Sequence, residues 1–125
     1  MRILNLIFYL WAIEIGIKTF QFYYKKTIPT TIYTIAHELL HFIFYDFVEK
    51  NLKKETVHLT EEQLWDLSEI FNIIVLRSDL YKNIVDKKII KPYPDHKKYL
   101  KQFEKEFKNS KNARDFILKG MAIIK

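Results

Sequence analysis

The spacing of apolar and polar residues changes along the chain, and each change marks a predicted element. Residues 3–13 are almost uniformly apolar, and residues 13–24 alternate with the two-residue period of a β-strand. From Pro29 to about Lys50 the pattern becomes that of a helix that is apolar on most sides, which is typical of a helix packed among neighbours. Its polar side chains form a single stripe, consisting of Thr34, His37, Glu38, His41 and Tyr45.

A second helix is predicted after a polar connection over residues 51–59. Thr60 and Gln63 have the spacing of a capping box, and the helical period continues to about Tyr81. Pro92-Tyr93-Pro94 is the clearest break in the chain. Two further helices are predicted beyond this break. One is capped by Asp95 and carries the aromatic stripe Tyr99, Phe103 and Phe107, and the other runs from Asn112 to Lys119 and stops at Gly120.

The polar stripe contains the pentapeptide His37-Glu38-Leu39-Leu40-His41, an H-E-x-x-H motif. Two histidines four residues apart lie on one face of a helix and can share one zinc ion. Glu38 lies beside them, where a carboxylate can take a proton from a zinc-bound water. The structural alternative is a pair of histidines that cap or pack against a core helix.

A catalytic zinc site keeps three protein ligands and one open position, so a third ligand is expected downstream. If the two helices form an antiparallel hairpin, His41 lies nine residues before one end and Glu69 nine residues after the other start. We therefore expect Glu69 to be the third ligand. The other candidates for the third ligand are Glu62, Asp66 and His58. Glu62 lies in the first turn of the second helix, where a carboxylate suits the helix N-terminus. Asp66 points away from the face that carries Glu62 and Glu69.

Composition limits the other choices. The chain has 125 residues, enough for one domain with a modest core, and no cysteine, so any metal must be held by histidines and carboxylates. The net charge of +6 comes from lysines spread along the chain, with only three arginines. A nucleic-acid interface would favour arginine and clustering, so we expect no nucleic-acid partner.

The apolar N-terminal run is too short for a membrane span, because Glu14 interrupts it well before about 20 residues. A signal peptide with Arg2 as its basic end would need a small-x-small cleavage site, and none follows. We therefore expect a cytoplasmic protein without a membrane span.

The residues Ile35-Ala36-His37-Glu38-Leu39-Leu40-His41, followed by a glutamate on the next helix, resemble the gluzincin metallopeptidases. The short chain and predicted β-ribbon resemble the minigluzincins, a group of minimal peptidases. This resemblance implies zinc ligation by His37, His41 and Glu69, with Glu38 as the catalytic base and acid, and latency imposed by the C-terminal segment. Many gluzincins carry an acidic residue four positions after the ligand glutamate, whereas this chain has Ile73 there, preceded by Asn72.

The predicted fold class is therefore α+β: a small zincin-like core with a β-ribbon, the H-E-x-x-H helix and a glutamate helix, followed by a helical C-terminal segment. Residues 1–91 form the predicted catalytic core, and residues 92–125 a predicted inhibitory segment. Either Asp95 or His96 could occupy the fourth zinc position, and the segment could also cross to a second copy and form a homodimer.

The predicted function is zinc-dependent hydrolysis of peptide bonds in a peptide or protein substrate. Arg77, Tyr45 and Tyr81 are the candidates for stabilising the oxyanion, although a structural salt bridge is the favoured role for Arg77. An edge of the predicted ribbon could pair with an extended peptide. The rival prediction is a catalytically silent zinc-binding scaffold or sensor, against which the presence of Glu38 argues.

Overall fold

The computed structural model describes residues 27–124, which form helices joined by short turns. The α-helices are α1 (Ile28–Asn51), α2 (Lys53–Thr56), α3 (Glu61–Arg77), α4 (Lys97–Asn109) and α5 (Ala113–Ile124). Three single turns of 3₁₀-helix lie between α3 and α4, at Asp79–Tyr81, Lys87–Ile89 and Pro94–His96.

The predicted α+β class is wrong, because residues 27–124 contain helices and turns and no strand. The described part of the chain is instead all-helical. The β-ribbon was assigned to residues 13–24, and that segment lies outside the described residues. The predicted strands rested on the two-residue period of those side chains alone. The helical period of the remaining chain predicted the helices that the structure shows.

Local signals account for the starts of α1 and α3. Thr27 caps α1 by accepting a hydrogen bond from the backbone N–H of Thr30, and proline follows in the first turn. Thr60 and Gln63 form the predicted capping box, with two reciprocal hydrogen bonds of 3.0 Å. The helix it starts ends at Arg77, four residues before the predicted end.

The main core lies between α1, α3 and the two C-terminal helices. It contains Phe44, Val48, Leu52, Leu67, Ile70, Ile74, Phe103, Phe116, Ile117 and Met121. One side of α1 does not belong to it: Leu39 and Ile43 are 46% and 59% exposed, although the apolar pattern predicted burial on most sides. The C-terminal helices thus share one core with the helices that carry the motif and Glu69.

The last helix does not stop at Gly120 as predicted but continues to Ile124. A Cβ added at Gly120 would lie 2.7 Å from the Phe103 ring and 2.9 Å from Leu67. The glycine therefore serves a close approach of α5 to α4 and α3, and this need for space explains it better than a helix end does.

The start of α4 also differs from the prediction. Asp95 lies within the turn Pro94–His96 and makes no capping hydrogen bond, and the residue before α4 is His96. Among residues 27–124, no helix combines the length and the apolar character that a membrane crossing requires.

Candidate metal centre

The structure brings together His37, His41 and Glu69, the three residues predicted to bind a metal. The two histidines lie one turn apart on α1, and Glu69 faces them from α3. Nε2 of His41 lies 2.9 Å from Nε2 of His37 and 2.9 Å from Oε1 of Glu69. Nε2 of His37 lies 3.2 Å from Oε2 of Glu69. These three residues, called the metal group below, form a buried cluster that could hold a metal ion.

The spacing of these atoms fits a small tetrahedral cation. Metal–nitrogen and metal–oxygen bonds of about 2.0–2.1 Å in a tetrahedron separate neighbouring ligand atoms by roughly 3.3 Å. The observed separations of 2.9–3.2 Å are smaller by only a few tenths of an ångström. Small side-chain movements would therefore suffice to admit an ion.

The competing third ligands lie elsewhere. Glu62 and His58 are exposed, and Asp66 pairs with His96, with 2.7 Å between Oδ1 and Nε2. The antiparallel arrangement of α1 and α3 places Glu69, and none of these three residues, within reach of both histidines of the motif.

His41 is held from both ends of its imidazole ring. Its Nδ1 lies 2.5 Å from Oγ of Ser68, and its Nε2 is the atom that faces His37 and Glu69. Ser68 is fully buried and also hydrogen-bonds the side chain of Tyr45. Sequence reasoning missed Ser68, although its position next to Glu69 places it beside the same helix interface.

His37 is held differently. Its Nδ1 is buried and has no hydrogen-bond partner among residues 27–124. The side-chain amide of Asn72 donates to the backbone carbonyl of His37 over 3.1 Å, so it fixes the helix instead of the ring. Ile73, four positions after Glu69, lies in the core. The acidic partner that many gluzincins place there therefore has no counterpart at this position.

The pKa values of the three residues reflect mutual hydrogen bonding in a buried place. Burial would raise the pKa of Glu69, but hydrogen bonds from His37 and His41 outweigh it and lower the pKa to about 2. Burial lowers the pKa of His41 to about 4. Burial acts in the same direction on His37, but its contact with Glu69 raises the pKa above the usual 6.5. The carboxylate is thus ionised, and of the two histidines His37 is the one whose pKa favours the protonated form.

Glu38 is 3% exposed, and its Oε2 has no hydrogen-bond partner in the described part of the chain. Burial raises the pKa of its carboxyl to about 7, with His37 lowering and Glu69 raising it by smaller amounts. A carboxyl group with this pKa can both accept and release a proton near neutral pH.

Two tyrosines lie around the group. The ring of Tyr33 lies 5.6 Å from that of His37, one turn earlier on α1. Burial raises its pKa, and the charges of Glu69 and Glu38 add to this effect. Burial and the charges of Glu69 and Glu38 also raise the pKa of Tyr93, which belongs to the Pro92–Pro94 break. Tyr33 was missed, although its spacing of four residues from His37 continues the polar stripe.

The earlier candidates for a second electrophile have other contacts. Arg77 donates to the backbone carbonyl of Ile90 over 3.1 Å, a structural role that differs in detail from the expected salt bridge. Tyr81 packs against the core that contains Leu76 and Val85. Tyr45 contacts Ser68, which in turn contacts His41.

Neither residue expected at the fourth metal position is found with the group. Asp95 is exposed, and His96 is buried against Asp66. Instead, the rings of Tyr93 and His96 lie 5.3 and 5.9 Å from that of Trp65, so the proline-rich break is fixed to the first half of α3. We call Trp65, Asp66, Tyr93 and His96 the clasp.

Comparisons of the chain with protein-family models, with curated proteins and with solved structures found no match in any of the three. A functional assignment therefore rests on the residues of the site and on their geometry.

Proposed function

We propose that this protein is a zinc-dependent endopeptidase of the minigluzincin type, in a latent form. The observation that carries the proposal is the convergence of His37, His41 and Glu69 on one point, with Glu38 adjacent in the motif. Two imidazoles and a carboxylate are the protein ligands of many catalytic zinc sites, and three ligands leave a fourth position for water or substrate.

The chemistry of the donors supports zinc in particular. Imidazole nitrogen suits zinc and other transition metals, whereas magnesium and calcium prefer sites built from oxygen alone. A bound zinc ion would polarise the scissile carbonyl and increase the acidity of water.

Glu38 is the residue we assign to proton transfer. In our proposal its carboxylate accepts a proton from the attacking water and then delivers it to the nitrogen of the leaving amine. A pKa of about 7 suits both steps, because the group releases and regains a proton with little free-energy cost near neutral pH. A site that only stores zinc has no need of this buried carboxyl.

The latent state is supported by how little of the site is open. The side chains of His37, His41 and Glu69 are only 14%, 1% and 7% exposed, so little of the group faces solvent. The clasp holds Tyr93 where partial burial and the charges of Glu69 and Glu38 raise its pKa. In our proposal, release of the clasp opens the site to a peptide or protein substrate.

The metal is tested first. Purified protein should carry about one zinc per chain, measured by elemental analysis. His37→Ala and His41→Ala should each abolish this occupancy, while Glu38→Gln should keep the metal. Full zinc retention in the double histidine variant would refute the proposed site.

Activity is tested by releasing the clasp. Removal of residues after Lys91 would also remove Phe103 and Phe116 from the main core, so loss of folding would obscure the result. His96→Ala breaks the pair with Asp66 and leaves that core in place. We expect this variant to cleave casein or a broad peptide library. The matched control is His58→Ala, which replaces an exposed histidine and should stay inactive.

The same burial favours a second candidate, a zinc-binding scaffold or sensor without turnover. The two proposals differ in what Glu38→Gln does to the His96→Ala variant. A peptidase loses all cleavage when Glu38 is replaced, because the other carboxyl of the group, Glu69, is engaged as a proposed metal ligand. A zinc-loaded His96→Ala variant that cleaves nothing would favour the scaffold.

A further inference from the structure

The contact between Ser68 and His41 joins a neutral hydroxyl to a residue of the metal group. Both side chains are fully buried, and 2.5 Å separates Oγ of Ser68 from Nδ1 of His41. The other nitrogen of the same ring, Nε2, faces His37 and Glu69 at 2.9 Å. The contact therefore acts on the side of the ring that is turned away from the metal group.

The position of the ring proton decides whether His41 can bind a cation. A neutral imidazole carries one proton, and a proton on Nε2 would point into the group and exclude a metal. A proton on Nδ1 leaves the Nε2 lone pair directed at the point shared with His37 and Glu69. Oγ of Ser68 is placed to accept a hydrogen bond from that Nδ1 proton.

The hydroxyl of Ser68 can do this because its own proton has an acceptor. Its side chain is hydrogen-bonded to that of Tyr45, which lies one turn after His41 on α1. His41, Ser68 and Tyr45 thus form a short chain of hydrogen bonds between α1 and α3. Metal-binding histidines commonly donate their second N–H to a carboxylate, a carbonyl or water, and loss of such a partner weakens metal binding.

We propose that Ser68 is a positioning residue: its hydroxyl, supported by Tyr45, holds the His41 ring in the orientation that binds the metal and is placed to accept the Nδ1–H hydrogen bond when Nε2 binds it. The proposal rests on the proposed zinc site and adds a residue to it that the H-E-x-x-H motif does not contain. Ser68 contacts no substrate in this role, since it acts only through His41.

The experiment measures zinc affinity by competition with a chelator, so it does not depend on turnover. Ser68→Ala should bind zinc about 10–100-fold more weakly than the unchanged protein. Tyr45→Phe should cause a smaller loss, because the hydroxyl of Ser68 stays but loses its support. The matched control is Ser78→Ala, because Ser78 follows the same helix and its hydroxyl donates to the backbone carbonyl of Val75.

A second readout separates positioning from packing. In the zinc-loaded protein, the Nδ1 proton of His41 should give a resonance that is protected from exchange with water. Ser68→Ala should lose that protection at His41 alone, with the His37 resonance unchanged. Ser68→Thr keeps a hydroxyl and should recover most of the zinc affinity and of the protection.

The outcomes are distinguishable from failure of the zinc site itself. If the unchanged protein binds no zinc, the proposed function fails. If it binds zinc and Ser68→Ala binds within twofold of it with the His41 proton still protected, the inference about Ser68 is overturned. If Ser68→Ala does not fold, the zinc affinities of Ser68→Thr and Tyr45→Phe are compared with that of the unchanged protein. Equal affinity in these three proteins overturns the inference. A loss of affinity in Tyr45→Phe but not in Ser68→Thr supports it.

Discussion

Replacement of Glu38 by glutamine should stabilise the metal-free protein, and the gain should depend on pH. Burial raises the pKa of this carboxyl from 4.5 to about 7, so the folded state holds the proton more tightly than the unfolded chain does. The stability that this proton contributes is fully present below pH 4.5 and is lost as the pH rises through 7. Glu38→Gln removes the titration and retains a similar shape.

The shift from 4.5 to about 7 sets the size of the effect. One pKa unit corresponds to about 1.4 kcal/mol, so Glu38→Gln should gain about 3 kcal/mol of unfolding free energy at pH 8. At pH 5, where the folded-state carboxyl is protonated, the gain should be under about 1 kcal/mol. Residues that function requires in a buried charged state commonly lower stability in this way.

Urea unfolding followed by circular dichroism, with EDTA present, measures both values. Glu62→Gln is the matched control, because it makes the same chemical change at an exposed position on α3. An equal gain at pH 5 and pH 8, or a larger gain at pH 5, would refute the reasoning that Glu38 is a buried carboxyl with a raised pKa.

Three further outcomes are expected. Glu69→Ala should lose zinc affinity by at least tenfold and Glu62→Ala should not. If chelator competition ranks the two variants in the opposite order, the third ligand is Glu62. Zinc affinity should fall as the pH is lowered from 8 to 6, because the raised pKa of His37 lets a proton compete for its ring, and a flat profile would contradict this. Gly120→Ala should lower the unfolding free energy by about 1–3 kcal/mol, since its Cβ would meet the Phe103 ring at 2.7 Å; an unchanged urea midpoint would contradict that close approach.

Local sequence signals predicted the parts of the fold that depend on neighbouring residues. The capping box at Thr60 and Gln63 places the start of α3, and Thr27 with the following proline places that of α1. With both starts known, counting along an antiparallel hairpin was enough to bring Glu69 level with His41. The third residue of the metal group could be predicted for this reason, although no motif contains it.

The features that were missed depend on contacts between distant parts of the chain. Gly120 looks like a helix end because glycine is common there, but the nearby Phe103 ring explains it. His96 was one of two candidates for the fourth metal position, whereas its partner is Asp66, thirty residues away. Ser68 lies beside a strong candidate ligand, and only the relative rotation of α1 and α3 shows that it meets His41.

The packing of α3 explains why the site and the C-terminal helices should be regarded as one unit. Ser68 and Glu69 face α1, while their neighbours Leu67 and Ile70 lie in the core that α4 and α5 complete. Loss of those helices would expose this core and remove the support that fixes the distance between Glu69 and the two histidines. Activation by removal of everything after residue 91 would therefore disturb the metal group that it is meant to uncover. In the proposed mechanism an opening limited to the clasp would avoid this cost, because none of its four residues belongs to the core that α3, α4 and α5 share.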